Sequence, residues 1–189
     1  RPDGTPYANA AEMALAHVRA ARDVGIAITL VPVVYCYGGF DRQALSARQA
    51  RFRATPDEAL AIAATVRAAH PGDPDVATGI AAHSLRAVGP VELDAIVAAT
   101  HGTGAPIHIH AAEQALEVEQ CIAWSGARPI AWLLDHAPVD RRWCLVHATH
   151  LVPAEITALA ASGSVVGLCP STEANLGDGV FPHQAYLSA

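Results

Sequence analysis

The strongest constraint on the fold is an alternation of short apolar, β-rich runs with longer helical segments. Each run is almost continuously apolar, which is typical of a strand that is buried on both faces. Strands of this kind separated by helices predict a parallel sheet built from βα units. The five predicted strands are residues 25–35, 75–84, 105–111, 142–149 and 163–171.

The segments between these runs carry the usual start and stop signals of helices. Most begin at a proline, and most end at or near a glycine. No GxGxxG loop follows the first strand, which disfavours a dinucleotide-binding sheet. A (β/α) barrel and a doubly wound sheet both fit this order of elements. The predicted helices are residues 56–70, 90–102, 113–126, 129–137 and 153–163.

Polar side chains stand at the ends of four of the predicted strands. In a parallel barrel the carboxyl ends of all strands lie on one face, and the active site is built there. Several histidines that converge from separate strands are hard to explain as packing, so the barrel is the favoured fold. The residues concerned are His83 with Ser84, His110, His147 with His150, and the group Ser171, Thr172 and Glu173.

The composition excludes several functions. The net charge is −6 and no basic run is present, so nucleic acid is not an expected partner. All twelve basic residues are arginines, which excludes a Schiff-base lysine, a P-loop lysine and a metal bridge on a modified lysine within this stretch. The four cysteines are far apart, as expected of reduced thiols. No apolar run reaches the ~18 residues of a membrane span. We therefore expect no membrane association and a cytoplasmic location.

The stretch PIHIHAAEQ places His108 and His110 on one side of a strand and Glu113 just beyond its end. A neutral imidazole is a common ligand of zinc and also suits iron. Glu113 is placed to take a proton from water and to deliver it to a leaving nitrogen without itself holding a metal. The plainer interpretation is that His110 is a hydrogen-bonded core residue, and HxxE also occurs by chance.

Two neighbouring strand ends carry further candidates. His147 ends the next strand, where it is either a core histidine bonded to the backbone or a site residue. His83 and Arg86 lie three residues apart at another strand end, and a guanidinium there can form two parallel hydrogen bonds to a carboxylate. A surface salt bridge is the alternative for Arg86.

Taken together, these motifs resemble the amidohydrolase superfamily, and within it the members that hydrolyse N-formimidoyl-L-glutamate. The resemblance covers essentially the whole chain and is densest from residue 80 to 182. It implies a metal-dependent hydrolase on a TIM-like (β/α)₈ barrel, of which residues 1–189 are a central fragment with strands three to seven. The motifs are HSLRAV, HIHAAEQ, the run from Cys121 to Leu151, and GLCPSTEANLGDGVFP.

The resemblance also implies roles for individual residues. His110 matches the fifth-strand metal ligand, Glu113 the proton-shuttling glutamate and His147 the sixth-strand histidine, while His83 and Arg86 match a substrate-contacting pair. The other ligands, a first-strand HxH pair and an eighth-strand aspartate, are expected outside this chain, and Asp178 is not assigned to that role. The flanking strands and a small β domain are likewise expected to be absent.

The implied reaction turns N-formimidoyl-L-glutamate and water into N-formyl-L-glutamate and ammonia, in histidine degradation. The resemblance further implies one divalent metal ion, most simply zinc, and a small substrate with carboxylates. It also implies a homodimer at full length. Two alternatives stay open: another deaminase of the superfamily, acting on a purine, pyrimidine or triazine, and a non-catalytic barrel remnant. We expect the 189-residue chain alone to be inactive.

Overall fold

The computed structural model describes residues 5–189. The helices are α1 (Glu12–Val24), α2 (Pro56–Ala69), α3 (Pro90–Thr100), α4 (Ala115–Ser125), α5 (Pro129–His136), α6 (Pro153–Ser162), α7 (Pro170–Leu176) and α8 (His183–Leu187). The strands are β1 (Ile28–Leu30), β2 (Val33–Val34), β3 (Val76–Thr78), β4 (Ile80–Ser84), β5 (Ile107–Ala111), β6 (Trp143–His147) and β7 (Val165–Gly167). A 3₁₀ turn, Ala50–Phe52, lies in the loop before α2.

All strand pairs are parallel, and they follow one another in sequence order. β1 pairs with β3, and β2, β4, β5, β6 and β7 form a five-stranded sheet in that order. The first two barrel strands are each interrupted, so that β1 and β2 are one strand and β3 and β4 the next. The amide of Gly79 donates to the carbonyl of Leu30 (2.8 Å) and that of Ala81 to Pro32 (2.9 Å), which joins the two ladders across the interruption. The sheet is thus a continuous arc of five parallel strands.

Glycine is required at residue 79, which separates β3 from β4. A Cβ atom at this position would lie 2.4 Å from the carbonyl oxygen of Pro106 on the neighbouring strand, closer than any such contact allows. The carbonyl of Pro106 in turn accepts the amide of Ile80 at 3.0 Å. A side chain at residue 79 would therefore push apart the two strands that carry His83 and His110.

The core lies between the sheet and the helices that cover its outer face. Ile107, Ile109, Trp143 and Leu145 are fully buried on that side. The residues that alternate with them, including His108 and His110, are only half-buried on the opposite face. Strict alternation in β5 thus divides the strand between packing against the helices and an inward face that carries the histidines.

The sequence-based prediction of five strands and five intervening helices agrees with this architecture, with one correction. The last strand ends at Gly167, so Ser171, Thr172 and Glu173 do not end a strand but lie in α7. Pro170 is the reason, because proline suits the first position of a helix and cannot donate to a sheet. Helices α1 and α8 were not predicted. No helix among residues 5–189 is both long enough and apolar enough to cross a membrane.

Candidate active site

The carboxyl ends of β4, β5 and β6 bring three predicted histidines into one row. The ring centroids of His83 and His110 are 5.0 Å apart, and those of His110 and His147 are 5.5 Å apart with an interplanar angle of 29°. The central ring is fixed by the main chain, since Nδ1 of His110 donates to the carbonyl oxygen of His83 at 2.7 Å. A carbonyl can only accept, so the proton of neutral His110 is on Nδ1 and the lone pair of Nε2 is available.

His147 is held between two carboxylates and is only 3% exposed. Its Nδ1 lies 3.0 Å from Oε1 of Glu173, and its Nε2 lies 3.4 Å from Oε1 of Glu113. The structure therefore brings His147 and Glu113 together at adjacent strand ends. The arrangement allows one proton to pass between the Glu113 carboxylate and the ring.

The backbone around these two residues is strained. Ala112, His147 and Ala148 have φ values of 52°, 72° and 47°, in the left-handed region that side chains other than glycine seldom adopt. Two hydrogen bonds between the neighbouring strand ends, Ala148 N to Ala111 O and His150 N to Ala112 O (both 3.0 Å), hold this geometry. Such strain persists only where the surroundings fix it, and it is concentrated at functional sites.

Glu117 supports the turn that carries Glu113. It is 3% exposed, and its two oxygens accept the amides of Ala112 and Glu113, each at 3.0 Å. Burial raises the pKa of this carboxyl, while the charge of Arg86 and the two amides oppose that rise. The carboxylate thus accepts hydrogen bonds from two amides that would otherwise be unpaired in a buried turn.

Arg86 is partly buried beside the histidine row, and its Nε atom is buried without a hydrogen-bond partner among the described residues. It borders a cavity of about 730 Å³, whose lining also includes Gly39, Phe40 and Trp124. Burial, followed by the neighbouring His110 and Arg86, lowers the pKa of His83 to about 4. His83 is therefore neutral near pH 7, and its Nδ1 lies 3.0 Å from Oγ of Ser84. A buried guanidinium donor without a partner is suited to binding an anionic group.

Three residues at this site have no role assigned from the sequence. Glu117 had no distinctive signal apart from its position four residues after Glu113. Glu173 belongs to the polar group near the end of the last predicted strand, but its type and position alone indicate no role. Tyr35 places its ring edge-on against His83, with centroids 4.6 Å apart, and its hydroxyl accepts a hydrogen bond from Gln49. These contacts depend on loops that meet only in the folded chain.

Asp178 lies in the loop after α7, outside the histidine row. Its Oδ1 accepts a hydrogen bond from Nε2 of Gln114 at 3.0 Å, and its Oδ2 is buried without a partner among residues 5–189. It thereby links the segment that follows Glu113 to the segment that follows α7. This is a supporting contact between loops.

Among these side chains, His110 has the geometry expected of one metal ligand. A metal-binding histidine commonly donates its other ring N–H to a carbonyl or carboxylate, and His110 does so. Within residues 5–189 no three His, Cys, Asp or Glu side chains lie close enough together to hold an ion. The chain thus offers one well-oriented imidazole, and a complete centre needs donors from outside these residues.

Known proteins resemble this chain in both sequence and structure. A sequence model of the amidohydrolase family matches residues 5–189. Formimidoylglutamate deiminase of Pseudomonas aeruginosa is 48% identical over 186 residues, which are 98% of this chain and 41% of that protein. The crystal structure of an amidohydrolase from Brucella melitensis gives a TM-score of 0.93 at 47% identity and covers 98% of this chain and 41% of that one.

A zinc-bound adenosine deaminase from Xanthomonas campestris is more distant. Its TM-score is 0.76 at 25% identity, with 93% of this chain and 37% of that chain covered. The chain spans about two fifths of the length of these relatives. The parallel α/β arrangement agrees with the predicted fold, part of a TIM-like barrel. The family match over residues 5–189 and the shared fold lead to one conclusion: the chain belongs to the amidohydrolase family.

Proposed function

We propose that this chain is the central part of an enzyme that hydrolyses N-formimidoyl-L-glutamate to N-formyl-L-glutamate and ammonia, in histidine degradation. The observation that carries the proposal is the 48% identity to a formimidoylglutamate deiminase over 98% of the chain. The contact between Glu113 and His147 beside His110 supports it, because it provides proton transfer next to a metal ligand.

In this proposal His110 holds a divalent metal ion through Nε2, together with ligands from outside the chain. Zinc is the simplest choice, since it is bound in the adenosine deaminase relative. The ion would supply Lewis acidity, which activates water near neutral pH and polarises the substrate. The residues of the chain itself supply orientation and proton transfer.

Glu113 acts as the proton carrier. Its carboxylate takes one proton from the attacking water and gives it to the imine nitrogen. It then carries the remaining hydroxyl proton to the same nitrogen, so that the C–N bond breaks, ammonia leaves and the formyl carbonyl forms. His147, 3.4 Å away, can take this proton from the carboxylate at Nε2, and once protonated there it donates from Nε2 to the tetrahedral intermediate. Burial of both groups keeps other water away from this proton path.

Arg86 and His83 bind the glutamate part of the substrate. The unpaired Nε of Arg86 is the supporting observation, because a buried guanidinium donor without a partner favours an incoming carboxylate. His83 is neutral near pH 7 and therefore serves as a hydrogen-bonding group rather than as a second cation. This pair gives the site its preference for a small substrate with carboxylates.

Another deaminase activity is the second candidate, favoured by the 25% identity to an adenosine deaminase. A nucleoside has no carboxylate for Arg86 to bind, so this residue distinguishes the two. A non-catalytic barrel remnant is the third possibility, and an HxH pair and an aspartate in the flanking coding sequence would exclude it. We further propose a homodimer at full length and a cytoplasmic location, in keeping with four free cysteines.

The test measures ammonia release by the full-length protein with formimidoylglutamate, its decarboxylated analogue and adenosine. Arg86→Met should remove about 2–5 kcal/mol of the preference for formimidoylglutamate over the analogue. Arg141→Met is the matched control, because Arg141 is exposed at the opposite end of β6. Equal loss on both substrates, or none, would show that Arg86 is structural, and turnover of adenosine alone would refute the proposed substrate.

A further inference from the structure

Glu173 is a buried carboxylate in α7 that reaches back to the end of β6. It is 6% exposed, and its Oε1 accepts the amide of Cys169 at 2.8 Å and lies 3.0 Å from Nδ1 of His147. Burial opposes ionisation of Glu173, but the Cys169 amide and His147 outweigh it, so the pKa of this carboxyl lies below its usual value. The side chain is therefore an ionised acceptor anchored to its own helix.

This contact determines which nitrogen of His147 carries a proton. A carboxylate oxygen can only accept, so Nδ1 of His147 must be the donor to Glu173. The other nitrogen, Nε2, then faces Oε1 of Glu113 at 3.4 Å and is the one that takes part in proton transfer. Without Glu173 the neutral ring could hold its proton on either nitrogen.

The rest of the surroundings do not fix the tautomer. Within residues 5–189, the polar side chains in contact with the His147 ring are Glu113 and Glu173. The ring of His110 stacks against it but forms no hydrogen bond to it among the described contacts. The left-handed backbone at His147 sets the direction of the Cα–Cβ bond, which does not by itself decide which ring nitrogen carries the proton.

We propose that Glu173 is a positioning residue, which fixes His147 as the Nδ1–H tautomer and presents Nε2 to Glu113 and the reacting group. The catalytic consequence rests on the proposed function, but the tautomer itself does not. Outer carboxylates that orient a catalytic or metal-bound imidazole typically change activity 10–100-fold when removed. Glu173 acts through His147 and does not touch the substrate.

Glu155 offers a matched control for a merely structural role. It is also a buried glutamate (4% exposed) at the start of the preceding helix, and it accepts the amide of Val152 at 3.1 Å and Nε of Arg128 at 3.0 Å. It has no contact with the histidine row in the described hydrogen bonds. Loss of its carboxylate should weaken the fold without changing the His147 ring.

The experiment uses the full-length protein labelled with ¹⁵N at the histidine rings, with His147→Asn to assign the signals. Glu173→Ala should lose the Nδ1–H signature of His147 and lower kcat about 10–100-fold, with KM changed much less. Glu173→Gln keeps an accepting oxygen and should restore both the tautomer and most of kcat. If the alanine variant does not fold, Glu173→Asp takes its place, since its shorter carboxylate cannot span Cys169 and His147.

Two results would overturn the proposal. One is retention of the Nδ1–H tautomer in the alanine or aspartate variant, whatever happens to kcat. The other is an equal loss of the tautomer in Glu155→Gln, which would make the effect a general loosening of the fold. Failure of the unmodified enzyme to hydrolyse formimidoylglutamate would refute the proposed function instead, and the ring signals would still decide the role of Glu173.

Discussion

The loss of stability caused by removing the Glu117 carboxylate can be calculated from its two hydrogen bonds. Its two oxygens accept the amides of Ala112 and Glu113, and neither amide has another partner among the described backbone bonds. A buried donor left unpaired costs about 1–3 kcal/mol, so Glu117→Ala should cost about 2–6 kcal/mol before relief of the burial penalty on the charge. We expect a net loss of about 2–4 kcal/mol, and about half of that for Glu117→Gln, which keeps one accepting oxygen.

The assay is urea unfolding of the full-length protein, followed by fluorescence and circular dichroism. Glu119→Ala is the control, because Glu119 is exposed on the same helix and should change stability by less than about 0.5 kcal/mol. Since the turn also sets the direction of Glu113, Glu117→Ala should lower kcat as well. A Glu117→Ala variant as stable as Glu119→Ala would refute the reasoning.

The raised pKa of Glu117 predicts that the stability of the fold depends on pH. The pKa of Glu117 in the folded chain is raised above 4.5 by burial, so the folded state binds this proton more tightly than the unfolded state does. Stability from this group is therefore present at low pH and is lost as the pH rises from about 4.5 through the folded-state pKa. The free energy of unfolding of wild type relative to Glu117→Gln should fall over that interval, and a difference that rises with pH would contradict the assigned direction.

Four further outcomes test other parts of the structure. Glu113→Gln should leave the metal content of the full-length enzyme intact and lower kcat by about 10²–10⁴, and near-normal turnover would disprove the proton-carrier role. The isolated 189-residue chain should release no ammonia and retain little zinc after dialysis, since it offers one ligand, and stoichiometric zinc with turnover would show the strand assignment to be wrong. Thr55→Ala should destabilise α2 by about 1 kcal/mol in urea unfolding, because the Thr55 hydroxyl caps that helix. Gly79→Ala should lower the free energy of unfolding by more than a single added methyl group usually does, because that group would collide with the carbonyl of Pro106. Unchanged stability in urea unfolding would refute this.

The sequence predicts the fold well because each helix and strand is specified locally. Prolines at positions 56, 90, 129 and 153 begin helices in the structure, as predicted. The error at residues 163–171 has the same local origin, because the predicted strand includes Pro170, which instead begins α7. The start signal was present in the sequence and was outweighed by the apolar residues before it.

The site was only partly predictable. Alternation along β5 places His108 and His110 on the inward face, and parallel strand ends place His147 beside His110. The left-handed turns at Ala112 and Ala148 and the support from Glu117 could not be read from the sequence, since they depend on contacts between different loops. Long-range carboxylate contacts have no period or spacing that reveals them.

The hydrogen bond from His110 to residue 83 has an evolutionary consequence. The acceptor is the main-chain carbonyl of residue 83, so any amino acid at that position can supply it. The side chain of His83 can therefore change as substrates diverge, while the imidazole of His110 stays oriented. If the proposed roles hold, substrate preference at the end of β4 can thus change independently of the chemistry at the end of β5.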